Sequence, residues 1–185
     1  MKINRIEQGI TLILNEIEPG WQDDPHLMET PGRAAKGLME VLQGYKINPE
    51  TLLKTFEEKD YDQMITIGPI KSYSLCAHHL LPFNMEVYIG YIPDGKIAGI
   101  SKFVRITQAI TQRLQLQEKI TEDIAEVIDK TLKPRGVIVV IKNSRHYCMA
   151  MRGVKNDTAA VSTSAIKGVF NKSKARAEFY NIINK

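Results

Sequence analysis

The strongest constraint on the fold is a change of hydrophobic period near the middle of the chain. Phe83, Met85, Val87, Ile89 and Tyr91 fall on alternate positions, the mark of a half-buried strand. Phe103, Ile106, Ile110 and Leu114, then Ile120, Ile124, Val127, Ile128 and Leu132, recur every three or four residues instead. That spacing predicts two long helices with a kink between them. Val137 to Ile141 is an unbroken β-branched run and reads as a further strand. Strands, two long helices and strands again give an α+β fold: a mainly antiparallel sheet with its helices grouped on one side.

The flanking segments fit the same scheme. Ile3, Ile6, Ile10, Ile13, Leu14 and Ile17 predict an amphipathic N-terminal helix. Thr30-Pro31 reads as an N-cap followed by a proline at the first helical position, opening a helix that runs through Ala34, Leu38 and Leu42 to Gly44. A short helix is expected at Asn48-Pro49-Glu50, and a strand from Met64 to Ile67. Pro93-Asp94-Gly95 marks a turn before a strand at Lys96 to Gly99, and Pro134-Arg135-Gly136 ends the second long helix. Tyr147 to Met151 is expected to pair with the β-branched run as a hairpin. Thr158 to Ser164 is β-prone, and Lys174 to Ile183 forms a terminal helix. The chain therefore divides into an N-terminal helical region, 1–60, and a sheet-bearing functional unit, 61–185.

Composition excludes several classes. With 185 residues, 43% hydrophobic and 25% charged, the chain is neither disordered nor a disulfide scaffold. No apolar run approaches the roughly 20 residues of a membrane helix. The opening MKINRIEQGI lacks the apolar centre of a secretory signal, so a cytoplasmic, reducing setting is expected. A formal charge of +4 and a pI near 9.0 favour anionic ligands, but are too weak to argue for nucleic acid.

The rare residues are more informative. The chain has two cysteines, Cys76 and Cys148, and four histidines, of which His78, His79 and His146 lie within three positions of a cysteine. Random scatter would seldom pair so few residues in this way, and a disulfide would leave the histidines unexplained. Cys76 and His79 are separated by two residues, so one tight turn can aim both at a single ion, with Cys148 as a third ligand. Thiolates with imidazole suit zinc. The fourth position is either open, as in a catalytic centre, or closed by His146 or His78, as in a structural one.

Basic residues mark a second pattern. Ser101, Lys102 and Arg105 fall at the predicted start of a helix, where free N–H groups and the helix dipole suit phosphate. Arg152 follows Cys148 closely, and Arg33 and Lys36 lie on the early helix. Gathered at one pocket, they would form a polyphosphate clamp. Glu118, preceded by Gln117, lies where the long helices join. Its carboxylate could accept two parallel hydrogen bonds from a guanine-like edge.

Six segments then carry a resemblance: DPHLMETPGRAAK (24–36), CAHHLLPF (76–83), GISKFVR (99–105), RLQLQEKIT (113–121), HYCMAMRG (146–153) and GVF (168–170). In this order, spread over nearly the whole chain, they resemble the zinc-dependent GTP cyclohydrolase I family. The resemblance implies a T-fold, an antiparallel sheet with N-terminal helices and two long helices packed on one face. It also implies a homodecamer of two pentameric rings with active sites between subunits. The implied reaction converts GTP and water to formate and 7,8-dihydroneopterin triphosphate. By position, Cys76, His79 and Cys148 would hold Zn2+, and His78 and His146 would be the acid–base histidines. Gln117 and Glu118 would anchor guanine, and Lys36, Ser101, Lys102, Arg105 and Arg152 would hold the triphosphate. No nucleic-acid or membrane partner is expected. Ala77 departs from the family, many of whose members carry glutamate there, though not as a zinc ligand. The N-terminal extension of some members is expected to be short here. Two rival readings are a T-fold enzyme with altered ring-opening chemistry and a structural-zinc protein that binds nucleic acid.

Overall fold

The computed structural model describes residues 2–185. It separates into two compact units, the first ending at Gln43 and the second spanning Gly44–Lys185. The first holds α1 (Ile3–Ile17) and α2 (Thr30–Val41), which pack on each other. Trp21 is buried beside them, with its indole N–H donating to Asn15 Oδ1 at 2.8 Å. Thr30 is already helical and makes no cap; Glu29 precedes the helix, and Pro31 occupies its first turn, where no N–H is needed. The helix stops at Val41 rather than Gly44. The chain continues as a 3₁₀ turn, Gln43–Lys46, because Gly44 N–H turns away to donate to Gln112 O at 3.0 Å. A Cβ on Gly44 would lie 2.4 Å from Ala109 O, so only glycine permits this approach.

The second unit opens with a 3₁₀ turn, Pro49–Leu52, and then carries two sheets. β1 (Thr55–Glu57) pairs with a later strand, described below. β2 (Ile65–Cys76) and β3 (Pro82–Ile92) form the central hairpin. β4 (Lys96–Ala98) returns to pair with β1 rather than with β3. α3 (Ile100–Thr111), a two-residue β5 (Leu114–Gln115) and α4 (Gln117–Leu132) follow. β6 (Gly136–His146), a helical turn α5 (Tyr147–Ala150), β7 (Val161–Gly168) and α6 (Ser173–Ile183) complete the chain.

The main sheet has the order β5-β2-β3-β6-β7 and is antiparallel except for the β2–β5 pair. Helices α3 and α4 cover one face. Phe103, Ile106, Ile110, Ile120, Ile124 and Ile128 share a core with Val87, Ile89, Tyr91, Val137, Val139 and Ile141. This is the expected α+β arrangement, with two long helices on one face of an antiparallel sheet. The other face is not left bare. Tyr88, Ile138 and Val140 pack with Phe170 and Phe179, so α6 covers part of it. That is why the run Val137 to Ile141 does not alternate: both of its faces are buried. Gly90 lies under α6, and a Cβ there would meet the Phe179 ring at 2.5 Å. Among the described residues no helix is long and apolar enough to cross a membrane.

Four expectations fail in this unit. Leu114 is not on the first long helix, which ends at Thr111, but in β5, so a strand rather than a kink separates the two helices. The strand begun at Ile65 runs to Cys76, well past Ile67, because its inward positions beyond Ile70 are Ser72, Ser74 and Cys76, small buried residues rather than large apolar ones. Tyr147 to Met151 is not a strand but a helical turn, closed by Met151 N–H donating to Tyr147 O at 2.9 Å. The next strand pairs with β6 only from Val161, since Asn156 Oδ1 accepts from the N–H groups of Thr158 and Ala159 and holds those residues in a turn.

Candidate functional site

The β2–β3 turn supplies the first half of the site. Cys76 is the last residue of β2 and is buried. Its N–H donates to Leu81 O, and its carbonyl accepts from the N–H groups of His79 and Leu80. Leu80 takes a left-handed φ of 56° to close the turn. Ala77 N–H donates to Gln115 O at 3.1 Å, so β5 clamps the same turn from the side. The Ala77 side chain itself is exposed. The turn leaves Cys76 Sγ 3.7 Å from His79 Nδ1. The His78 ring stands edge-on to His79, with centroids 6.0 Å apart.

The second half comes from the end of β6. β3 and β6 pair Phe83 with His146, which brings the helical turn α5 beside the β2–β3 turn. Cys148 enters on α5. The ligand atoms of Cys76, His79 and Cys148 all lie within 4.8 Å of one another. A tetrahedral zinc with thiolate and imidazole ligands spaces its donors by about 3.5–3.8 Å, so the 3.7 Å between Cys76 and His79 fits such an ion. Burial pushes the Cys148 thiol up, and the adjacent Cys76 pushes it further; Arg152 opposes them weakly. Two thiols held this close resist joint ionisation. A bound dication would reverse that preference.

Arg152 Nη1 lies 2.8 Å from His79 Nε2; arginine can only donate, so this contact belongs to the ring with its hydrogen on Nδ1 and would give way when Nδ1 binds an ion. Of the basic residues expected to hold phosphate in this unit, Arg152 touches the Cys–His–Cys group. Lys102 and Arg105 sit on the first turns of α3 with Ser101, and none of the three is hydrogen-bonded to that group among the described residues. Lys36 belongs to the first unit, exposed on α2.

His146 is half-buried. Its ring stacks on Phe83 at 4.4 Å with a 9° interplanar angle. Its Nε2 lies 2.8 Å from Gln117 Oε1 and 3.3 Å from Ser144 Oγ. Burial pushes the imidazole below its ordinary range, and the nearby Glu118 carboxylate pulls it partly back. Glu118 is exposed, in the first turn of α4. Gln117 is only 2% exposed, and its amide is bonded within the protein. Its contact with His146, and the stacking on Phe83, were not foreseen from sequence. The one available signal was the alternation that puts Phe83 on a strand.

A family model described as GTP cyclohydrolase I matches residues 6–184. A protein of Bacteroides fragilis named GTP cyclohydrolase 1 is 41% identical over 158 residues, covering 85% of this chain and 81% of that one. One of Porphyromonas gingivalis with the same name is 44% identical over 187 residues, covering 98% of this chain and 94% of that one. A solved structure, an archaeosine synthase QueF-Like in the apo form, aligns with a TM-score of 0.44 at 20% identity. It covers 57% of this chain and 93% of that chain.

Proposed function

The chain belongs to the GTP cyclohydrolase I family, and on that premise we propose that it hydrolyses the imidazole ring of GTP, releasing formate and forming 7,8-dihydroneopterin triphosphate. The observation that carries this reading is the convergence of Cys76, His79 and Cys148 from segments 72 residues apart, beside a stacked, half-buried histidine. A zinc ion held by these three side chains would supply Lewis-acid activation of water, with a coordination position left for solvent.

The chain's own groups would do the rest. Glu118 accepts two hydrogen bonds from the ring N–H and amino group of guanine. His146 moves a proton at the imidazole nitrogen of the purine, and its burial favours the neutral form of the ring. His78, exposed next to His79, serves as the second proton carrier for the later ribose rearrangement and ring closure. Arg152, with Lys36, Ser101, Lys102 and Arg105, holds the triphosphate and so fixes the purine against the reacting groups.

The active unit is a homodecamer of two pentameric rings with sites between subunits. Supporting this, Leu80, Met151 and Val154, which flank the candidate metal ligands and Arg152, are 62%, 66% and 75% exposed. Such apolar side chains around a site suit burial by a neighbouring copy. Edge strand β7 likewise has β6 on one side only. The adjacent thiols suit the reducing cytoplasm. Residues 1–60, mostly helical but ending in β1, act as the N-terminal region and 61–185 as the catalytic unit.

Incubation of the zinc-loaded chain with GTP, followed by mass spectrometry, tests the reading. Formate and dihydroneopterin triphosphate are expected in equal amounts. A ring-opened aminopyrimidine that accumulates without closing would establish the altered-chemistry alternative instead. Glu118→Gln retains size but loses the acceptor pair. It is expected to raise the KM for GTP by about 10²-fold, the loss of a charged hydrogen-bond pair worth roughly 2–3 kcal/mol. An unchanged KM and kcat in steady-state assays would remove Glu118 from the guanine contact.

A further inference from the structure

We propose that Gln117 is a positioning residue for His146: it fixes the imidazole with its proton on Nε2, so that the nitrogen exchanging protons with substrate is Nδ1. The argument starts from the amide. Gln117 Nε2 lies 3.4 Å from Val161 O and 3.2 Å from Thr163 Oγ1, and its Oε1 lies 2.8 Å from His146 Nε2. A backbone carbonyl can only accept, so the amide nitrogen must face Val161 and the amide oxygen must face the ring. An amide oxygen can also only accept. His146 Nε2 therefore carries a hydrogen.

The surrounding hydroxyls hold the amide in that orientation. Thr121 Oγ1 donates to Gln117 O at 2.8 Å, so its oxygen is free to accept from Thr163, 2.6 Å away. Thr163 then accepts from Gln117 Nε2. Every donor in the set has an acceptor, and reversing the amide would set two carbonyl oxygens against each other at Val161. Phe83, stacked at 4.4 Å, keeps the ring in the plane where the 2.8 Å bond is made.

Two consequences follow. Gln117 Oε1 can accept from Nε2 whether the ring is neutral or cationic, so proton gain and loss are confined to Nδ1. Both amide hydrogens are committed and the side chain is 2% exposed, which leaves Gln117 no side-chain donor for a purine; its backbone N–H, in the first turn of α4, stays free of an intrahelical partner. Side-chain recognition of guanine in this helix turn then falls to the exposed Glu118. The importance of Nδ1 to turnover rests on the proposed reaction. The position of the proton does not.

The test uses the full-length zinc-loaded chain with 15N-labelled histidine, at a pH where imidazole is neutral. The wild type is expected to show a protonated Nε2 and an unprotonated Nδ1 at His146. Gln117→Met removes the amide at similar volume and is expected to give mixed tautomers. It should also lower kcat by about 10²-fold, the usual worth of a placed acid–base group, with KM for GTP changed by less than about threefold. Gln117→Glu keeps an acceptor toward the ring but sets a second oxygen against Val161 O, so it is expected to return the hydrogen to Nε2 without restoring the lost kcat. Should Gln117→Met fail to fold, Thr163→Val loosens the same amide and is expected to broaden the tautomer signal and lower kcat. A proton on Nδ1 in the wild type, or a raised KM with unchanged kcat in Gln117→Met, overturns the proposal. If the wild type makes no pterin, the proposed reaction fails while the ring measurement still decides this inference.

Discussion

Cys148→Ser is expected to lose bound zinc on dialysis and to release no formate from GTP. Serine keeps the size and the helical turn, but its hydroxyl is not a thiolate at neutral pH and is a poor zinc ligand. Two donors, Cys76 and His79, remain 3.7 Å apart, too few to hold the ion against solvent. Turnover should fall on the order of 10³-fold or more, because ring attack then relies on acid–base groups alone. The check is zinc content by atomic emission together with formate production. Cys148 is only half-buried, in a four-residue turn, so the fold should survive the change and the far-ultraviolet circular dichroism should match the wild type. Full activity in a metal-free Cys148→Ser preparation would contradict the metal assignment.

His146→Ala is the complementary case. It leaves the Cys–His–Cys group intact, so zinc should remain stoichiometric. It removes the ring that stacks on Phe83 and bonds Gln117, and with it the half-buried proton carrier two residues before Cys148. Product formation should fall by about 10²–10⁴-fold, the range for a positioned general acid–base group. GTP binding, measured by equilibrium dialysis, should persist through Glu118 and the basic residues. Accumulation of dihydroneopterin triphosphate at the wild-type rate would show that another group carries that proton.

Much of this arrangement could be read from residue order alone, and the exceptions have physical causes. Phe83 to Tyr91 alternate because one face of β3 meets α3 and α4, so the strand was plain. The helices were plain for the same reason. The outer half of β2 was not, because its buried positions are Ser72 and Ser74, whose burial rests on position and on Ser74 Oγ donating to Arg113 O at 3.1 Å. Hydrophobic period cannot register a strand whose inner face is hydroxyl. The turn at Tyr147 was missed for a different reason. Its four residues are too few to show a helical period, and local hydrogen bonds decide their form.

The candidate site divides along similar lines. Cys76 and His79 share a turn, so their pairing depends on local spacing. That Cys148 joins them depends on β3–β6 register, which sets Phe83 against His146. Only the family resemblance linked those segments beforehand. Gln117 is the instructive residue. Beside Glu118 it looks like half of a ligand-binding pair, yet successive positions on a helix point in different directions. One faces solvent, and the other is buried against β7 and His146.

The central claim is that one zinc ion is bound by two thiolates from distant segments and one imidazole, with a position open to solvent. Zinc K-edge X-ray absorption on the purified full-length protein tests it most directly. The account predicts two sulfur neighbours at about 2.3 Å and two lighter nitrogen or oxygen neighbours at about 2.0–2.1 Å, one of the latter replaced when a competing ligand is added. A first shell of four protein donors that no added ligand perturbs, or one holding a single sulfur, would contradict it.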